Sequence, residues 1–255
     1  MLIMLSSGQI SEFYEIGFII VKNIFSAEEI TEMKYAINRL QHQALGLDHE
    51  VEHKVEKNGS EFVIQRGLLE RVVWAGAAEP SLLIYGRHRK LISLAAQILE
   101  SDYANHLINQ VHFKLPGGGF YRWHQDSGHR GYGTRDWEDL NGKGSYVQTV
   151  TAIDEATVEN GPLMFIPATC YERGHLNLPY HKDKQTVSDK FNPADAVPAL
   201  MQPGDVALFG PYTIHGSETN TSDQPRRVFI NGFAYPDANR KEYPGKGAGE
   251  LIRLI

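Results

Sequence analysis

The second half of the chain has a segment pattern that strongly restricts the choice of fold. From about residue 107, short apolar stretches alternate with turns rich in Gly, Pro, Asn and Asp. This spacing is typical of an antiparallel β-sandwich or barrel. The predicted strands are 108–115, 120–125, 146–153, 163–166, 205–209, 213–218 and 228–234. The polar segment 174–201 is predicted to form a long loop between sheets.

The first hundred residues have a mainly helical pattern. The apolar run GFIIVKNIF (17–25) predicts one short strand. In the following segment 26–41, Ser26 and Glu29 take the positions of a capping box, and apolar residues recur at helical spacing. A second helix is predicted within 81–101. Its apolar face consists of Leu91, Leu94, Ala95 and Ile98.

The length and composition favour one globular domain and exclude several classes of protein. A chain of 255 residues can form a single large β domain, here with a helix-rich part (1–105), a core (106–236) and a short C-terminal tail. A net charge of −6 without a basic stripe argues against nucleic acid as a partner. Cys170 is the only cysteine, so an intramolecular disulfide is impossible. The chain lacks a membrane-length apolar run and a signal-peptide pattern, so we expect a cytoplasmic protein without membrane contact. The oligomeric state is left open.

A possible metal-binding pair occurs in FYRWHQDSGH (120–129). If this segment is a strand that ends near Asp126, the period of two residues places His124 and Asp126 on one face and Gln125 on the other. A second His-x-Asp pair, His181 and Asp183, lies in a polar stretch. We interpret that second pair as part of a solvated loop.

A third ligand and an anion-binding group follow about ninety residues later. His215 comes after a Pro-Gly turn and an apolar strand, and would complete a facial triad of two histidines and a carboxylate. If a hairpin loop centres near residues 221–222, Arg226 lies opposite Ser217 on the metal side, roughly 7 Å along the sheet. Arg227 then points away. A guanidinium at this separation suits a small dicarboxylate bound to the metal, although a one-residue slip would exchange the two arginines.

Four parts of the sequence together resemble the phytanoyl-CoA dioxygenase family of iron(II)- and 2-oxoglutarate-dependent oxygenases, which also includes ectoine hydroxylase. They are WHQD (123–126), IDEATVENGPLMFIPAT (153–169), PGDVALFGPYTIHGS (203–217) and Arg226. The resemblance covers roughly residues 12–235. It implies a mainly β fold: a double-stranded β-helix (a cupin-like jelly roll) with N-terminal helices packed on one sheet.

The resemblance also implies roles for individual residues. His124, Asp126 and His215 would be the ligands of Fe(II), Arg226 would bind the distal carboxylate of the cosubstrate 2-oxoglutarate, and Ser217 would assist it. O2 would be the second cosubstrate. Related halogenases have a small residue in place of the carboxylate, so Asp126 favours hydroxylation.

Further residues are weaker candidates within the same resemblance. His112 and Thr149 lie on strands that line the family's cosubstrate pocket. The chain departs from the family's usual IPGSH sequence by having IPATC at 166–170, which puts any contact made by the usual Ser-His pair in doubt.

The candidates for substrate binding lie in and beside the segment that follows the expected metal ligands. The Gly-rich segment 127–146 follows the expected metal ligands, as a loop over an active site does. The substrate candidates are Gln125, His129, Arg130, Tyr132 and Arg135. They predict a small polar substrate such as an amino acid, a betaine, a phosphonate or a natural-product intermediate, hydroxylated at a C–H group with release of succinate and CO2.

Two alternatives remain open. A hydrolase or isomerase on a cupin-like barrel would use the triad for zinc or manganese, with Arg226 binding substrate. A non-catalytic module would keep the metal for structural reasons.

Overall fold

The computed structural model describes residues 3–47, 53–65, 67–179, 184–245 and 249–255. His181 and Asp183 therefore lie outside the described residues. The helices are α1 (Ser7–Ile16), α2 (Ala27–Leu45), α3 (Ala75–Ala78), α4 (Pro80–Gly86), α5 (Arg89–Leu99) and α6 (Asp126–Arg130). The strands are β1 (Phe18–Val21), β2 (His53–Lys57), β3 (Ser60–Gln65), β4 (Leu68–Val73), β5 (Tyr103–Lys114), β6 (Tyr121–His124), β7 (Tyr146–Ala152), β8 (Leu163–Ile166), β9 (Val197–Pro198), β10 (Val206–Phe209), β11 (Ile214–Ser217), β12 (Arg226–Ala234) and β13 (Glu250–Arg253).

The described strands form two antiparallel sheets. The larger sheet has nine strands in the order β1-β10-β7-β12-β5-β4-β3-β2, and β13 pairs with the first part of β5. The smaller sheet has the order β6-β11-β8-β9. The chain is thus mainly β, as predicted.

Alternation along the central strands separates two apolar layers. On β12, Phe229 and Phe233 face a layer that also contains the apolar faces of α2 and α5. Val228 and Ile230 face the opposite way, into a layer shared with Phe165 of the smaller sheet. The helices therefore cover the outer face of the larger sheet, and the two sheets enclose the second layer between them.

The two predicted helices have the expected caps and faces. Ser26 and Glu29 form the capping box of α2, with backbone-to-side-chain distances of 3.3 Å and 2.7 Å. The predicted face of α5 is fully buried. The segment 81–101, within which one helix is predicted, contains most of α4 and all of α5, because the chain turns at Arg87 and His88 caps the second helix. Within the described residues, no helix is both long and apolar enough to cross a bilayer.

Two sequence-based expectations about strands are wrong. The stretch 53–73, expected in a mainly helical region, forms the antiparallel meander β2-β3-β4, which extends the larger sheet next to β5. The expected hairpin between the strands around His215 and Arg226 does not form either. β11 pairs with β6 and β8, whereas β12 pairs with β5 and β7, so the intervening segment crosses from one sheet to the other.

Candidate active site

Three potential metal ligands meet where β6 and β11 pair. His124 is the direct cross-strand partner of His215, and their ring centroids are 4.1 Å apart. Asp126 follows β6 as the first residue of α6, and its Oδ1 lies 4.0 Å from His215 Nε2. One ligand atom from each of the three residues lies within 4.8 Å of the others. The structure therefore brings together the residues that the sequence selected from two distant segments.

The hydrogen bonds of the two histidines fix which ring nitrogen can bind a metal. His124 Nδ1 lies 2.7 Å from Arg122 O, and His215 Nδ1 lies 2.9 Å from Thr213 O. A carbonyl oxygen only accepts, so each Nδ1 carries the proton and each Nε2 presents a lone pair. This backbone support is the usual way in which a metal-binding imidazole is oriented.

The carboxylate and the buried histidine also fit a divalent cation. Asp126 and His215 are each only 4% exposed. Asp126 Oδ2 is buried and has no hydrogen-bond partner among the described residues. Burial, and then proximity to His124, hold the pKa of His215 well below its usual value, so its ring is neutral. An unpaired buried oxygen beside two imidazole Nε2 atoms is a donor set that a divalent metal satisfies.

Gln125 has its side chain directed away from this cluster. Its amide nitrogen donates to Gly174 O at 2.9 Å and to Tyr212 O at 2.6 Å, and its oxygen accepts from Leu176 N at 2.8 Å. All three bonds are to backbone groups of neighbouring loops. They favour a role in fixing the loops behind the metal ligands over contact with a substrate.

Arg226 reaches the same cavity by a route that differs from the expected hairpin. As the first residue of β12 it shares the inner face with Val228, and its side chain is 5% exposed. Its Nη2 donates to Gly161 O at 2.8 Å, while its Nε is buried without a partner among the described residues. Arg227 points to the helix-covered face, where it bonds Asp154 at 2.7 Å and Asn38, as the alternation predicts.

Lys114 is a second buried basic residue that the sequence did not reveal. It is the cross-strand partner of Arg226 and is 2% exposed. Its Nζ donates to Ser217 Oγ at 2.5 Å and to the backbone oxygen of Glu218. Burial, followed by repulsion from Arg226, lowers the pKa of Lys114 to about 6. A lysine just before a Pro-Gly-Gly loop resembles a surface residue in sequence, and only the strand pairing places it beside Arg226.

Of the two weaker cosubstrate candidates, only His112 lines the cavity. Its ring stacks on Tyr121 at 5.3 Å, and burial holds its pKa well below the usual value. Thr149 lies on the other face of β7, where its hydroxyl donates to Asn231 O at 3.0 Å. On β7, Gln148 and Val150 line the cavity and Thr149 does not, so the expected contact of Thr149 with the cosubstrate is not supported.

Of the four substrate candidates in the Gly-rich segment after the metal ligands, three line the cavity and one does not. His129 lies edge-on to His124, with ring centroids 5.1 Å apart. Tyr132 lines the cavity, stacks on Trp137 at 4.9 Å, and donates its hydroxyl hydrogen to Gly144 O. Arg130 is buried along the same wall. Arg135 is exposed and does not line the cavity, so its predicted substrate contact is not supported.

One cavity of about 1230 Å³ connects these groups between the two sheets. Its lining includes the three potential metal ligands and the buried cations. It also includes Lys241 and Tyr243 from the segment after β12. The sequence offered no signal for this contribution, because that segment has neither periodicity nor a motif.

Comparison with known proteins finds a matching family and relatives that are named as a hydroxylase and a probable dioxygenase. The family described as Phytanoyl-CoA dioxygenase (PhyH) matches residues 13–228. Methylphosphonate hydroxylase from Gimesia maris is 34% identical over 142 residues, which are 54% of this chain and 49% of that protein. The probable alpha-ketoglutarate-dependent hypophosphite dioxygenase from Stutzerimonas stutzeri is 24% identical over 236 residues, 89% of this chain and 78% of that protein.

A solved structure supports the fold. EvdO2 from Micromonospora carbonacea var. aurantiaca, complexed with 2-oxoglutarate, superposes with a TM-score of 0.69 at 23% identity, covering 94% of both chains. This likeness concerns the fold, and the chain spans about half the length of the methylphosphonate hydroxylase that it matches. The family match covers most of the chain and includes all three clustered residues. This chain belongs to the phytanoyl-CoA dioxygenase (PhyH) family.

Proposed function

We propose that this protein is an iron(II)- and 2-oxoglutarate-dependent dioxygenase that hydroxylates a C–H group of a small polar metabolite. The observation that carries the proposal is the convergence of His124, Asp126 and His215 in a cavity that also contains the buried basic side chains of Arg226 and Lys114. In the reaction, the substrate C–H, O2 and 2-oxoglutarate become C–OH, succinate and CO2. Iron(II) bound with 2-oxoglutarate supplies the oxidising chemistry.

One group of residues would bind the metal, and a second group would bind the cosubstrate. His124 and His215 would bind the metal through Nε2, and Asp126 would bind it through a carboxylate oxygen. Arg226 and Lys114 would hold the distal carboxylate of 2-oxoglutarate. Burial and the adjacent Arg226 disfavour the charged form of Lys114, and a carboxylate placed between the two side chains favours it, so that both can donate charge-assisted hydrogen bonds.

Ser217 and His112 would complete the cosubstrate pocket. Ser217 already bonds Lys114, so its hydroxyl can orient the ammonium group toward a carboxylate. His112 has a buried Nε2 without a hydrogen-bond partner among the described residues, and its low pKa keeps the ring neutral. It therefore offers a donor or an acceptor without adding a third charge.

The two-sheet arrangement is assigned within this proposal to the double-stranded β-helix, or cupin-like jelly roll. The chain would act as one oxygenase domain over 1–255, in which the helices stabilise the larger sheet from outside.

For the substrate, the relatives named for methylphosphonate and hypophosphite keep a phosphonate among the candidates, with amino acids, betaines and natural-product intermediates.

The test is anaerobic addition of iron(II) and 2-oxoglutarate, followed by oxygen. We expect a charge-transfer absorption band before oxygen and succinate after it. His215→Ala should lose both signals, whereas His42→Ala, on the exposed surface of α2, should keep them. Absence of both signals from the unaltered protein would reject the oxygenase assignment, and turnover that proceeds without oxygen would favour a hydrolase or isomerase.

A further inference from the structure

A third buried cation, Arg130, lines the cavity but has no part in the proposed binding of metal or cosubstrate. It is the last residue of α6, one helical turn after Asp126, so both side chains project from the same face of this short helix. Its side chain is 6% exposed. Arg130 is therefore a fixed charge in the cavity wall close to the metal ligands.

Two tyrosines hold the Arg130 guanidinium in place. Its central carbon lies 5.2 Å from the ring centre of Tyr146 and 4.9 Å from that of Tyr243. Tyr146 is itself fixed, because its hydroxyl donates to Gln148 Oε1 at 2.6 Å. Both tyrosine side chains also hydrogen-bond the guanidinium, and aromatic faces stabilise such a cation. The cation is thus oriented before any ligand arrives.

The charge of Arg130 has no partner of opposite sign at ion-pair distance in the part of the chain that the structure describes. Its Nε is buried and has no hydrogen-bond partner there. Lys241 lines the same cavity, and its Nζ donates to His129 O at 2.6 Å. Glu242 also lines the cavity but is exposed. Asp126 and Tyr243 act favourably on the guanidinium, but its buried Nε is left unpaired, and an anion that accepts from it removes that cost.

The position of Arg130 separates it from the cosubstrate site. Tyr146, which contacts Arg130, pairs with Ala234 at one end of β12, while Arg226 is at the other end. The eight residue steps between Arg226 and Ala234 place these two backbone positions about 26 Å apart along the strand. The contacts of Arg130 with Tyr146 and Tyr243 are not shared with Arg226, which bonds Gly161. One small dicarboxylate cannot be the ligand of both arginines.

We propose that Arg130 binds the anionic group of the primary substrate, and that the substrate class is a small aliphatic oxyanion: a phosphonate, sulfonate or carboxylate that carries the C–H group to be oxidised. This inference rests on the proposed function for the reaction but on Arg130, Tyr146 and Tyr243 for the ligand. Tyr243 is then a positioning residue, and the segment after β12 forms part of the substrate site.

The test uses methylphosphonate, methanesulfonate and propionate as anionic probes and tetramethylammonium as a cationic probe. Each is titrated by calorimetry into the anaerobic protein with iron(II) and 2-oxoglutarate, and separately into the protein without either. We expect at least one anion to bind and tetramethylammonium not to bind. Arg130→Gln should weaken anion binding at least tenfold and change 2-oxoglutarate affinity less than twofold. The matched control Arg135→Gln should leave both affinities unchanged.

Two further variants separate ligand binding from folding. Arg130→Lys keeps the charge and should retain part of the anion affinity, with a thermal unfolding midpoint near that of the unaltered protein. Tyr243→Leu, which removes both the ring face and the hydroxyl, should weaken anion binding more than Tyr243→Phe, which removes the hydroxyl alone. The inference is overturned if folded Arg130→Gln binds the anions as the unaltered protein does, or if none of the three anions binds.

The absorption band formed with 2-oxoglutarate is read before any probe is added. Its absence from the unaltered protein would count against the proposed function alone. The titrations without iron and cosubstrate would still decide the role of Arg130.

Discussion

Binding of 2-oxoglutarate should be accompanied by uptake of a proton at Lys114. In the ligand-free protein the pKa of Lys114 is about 6, because burial and the adjacent Arg226 disfavour its charged form. At about pH 7.5, a group with this pKa is only about 3% protonated. A carboxylate placed against the amine favours the ammonium form and raises the pKa toward its ordinary value of about 10.4.

The size and sign of the effect follow from these two pKa values. Because the pKa rises on binding, protons are taken up, and the uptake approaches one proton per 2-oxoglutarate at about pH 7.5. Near pH 6 it falls to about one half, since the free amine is then half protonated. By linkage, the dissociation constant of 2-oxoglutarate should increase roughly tenfold per pH unit between about pH 7 and 9.

The assay is calorimetric titration of 2-oxoglutarate into the anaerobic iron-loaded protein in buffers with different ionisation enthalpies. The metal is added first, so protons released by its ligands do not enter the measurement. The dependence of the observed heat on buffer enthalpy gives the number of protons. Lys114→Met should abolish the uptake, and Lys54→Met, a variant of a mostly exposed lysine, should retain it. A zero slope in the unaltered protein, or an unchanged slope in Lys114→Met, would refute the reasoning.

Three other predictions test separate parts of the structure. Thr149→Val should leave the KM for 2-oxoglutarate unchanged, because the side chain faces away from the cavity, and should cost about 1 kcal/mol of unfolding free energy through its lost bond to Asn231 O; a raised KM would contradict this placement. Gly232→Ala should destabilise the fold by about 1–3 kcal/mol in a denaturant titration, since the added Cβ would lie 2.3 Å from Tyr146 Oη, and an unchanged midpoint would show that the tyrosine moves freely. Asp126→Ala should weaken iron(II) binding at least about tenfold in a competition assay with a chromogenic chelator, while His42→Ala does not; equal affinities would remove Asp126 from the ligand set.

The site could be predicted from the sequence where its geometry depends on local spacing. His124 and Asp126 are two residues apart, and the alternation of Arg226 with Arg227 follows from the strand period alone. The prediction was correct about which arginine faces inward even though the assumed hairpin does not exist. The reason is that β12 keeps its alternation whichever strands it pairs with.

The parts that could not be predicted depend on pairing between distant segments. Lys114 is significant because β5 places it beside Arg226, and Thr149 is turned away because of the register of β7. The meander β2-β3-β4 is a local exception: its Asn58-Gly59 turn, with positive φ at both residues, is a hairpin signal that the interpretation of this region as mainly helical missed. The role of Tyr243 arises only because the chain after β12 returns to the cavity.

The metal ligands and the cosubstrate cations lie on different sheets, and this has a mechanical consequence. His124 and His215 belong to the smaller sheet, while Arg226 and Lys114 belong to the larger one. A 2-oxoglutarate molecule bound at one end to the metal and at the other to Arg226 and Lys114 would link the two sheets. Binding of the metal and 2-oxoglutarate should therefore slow amide hydrogen exchange in β6 and β11, by coupling their opening to that of the larger sheet.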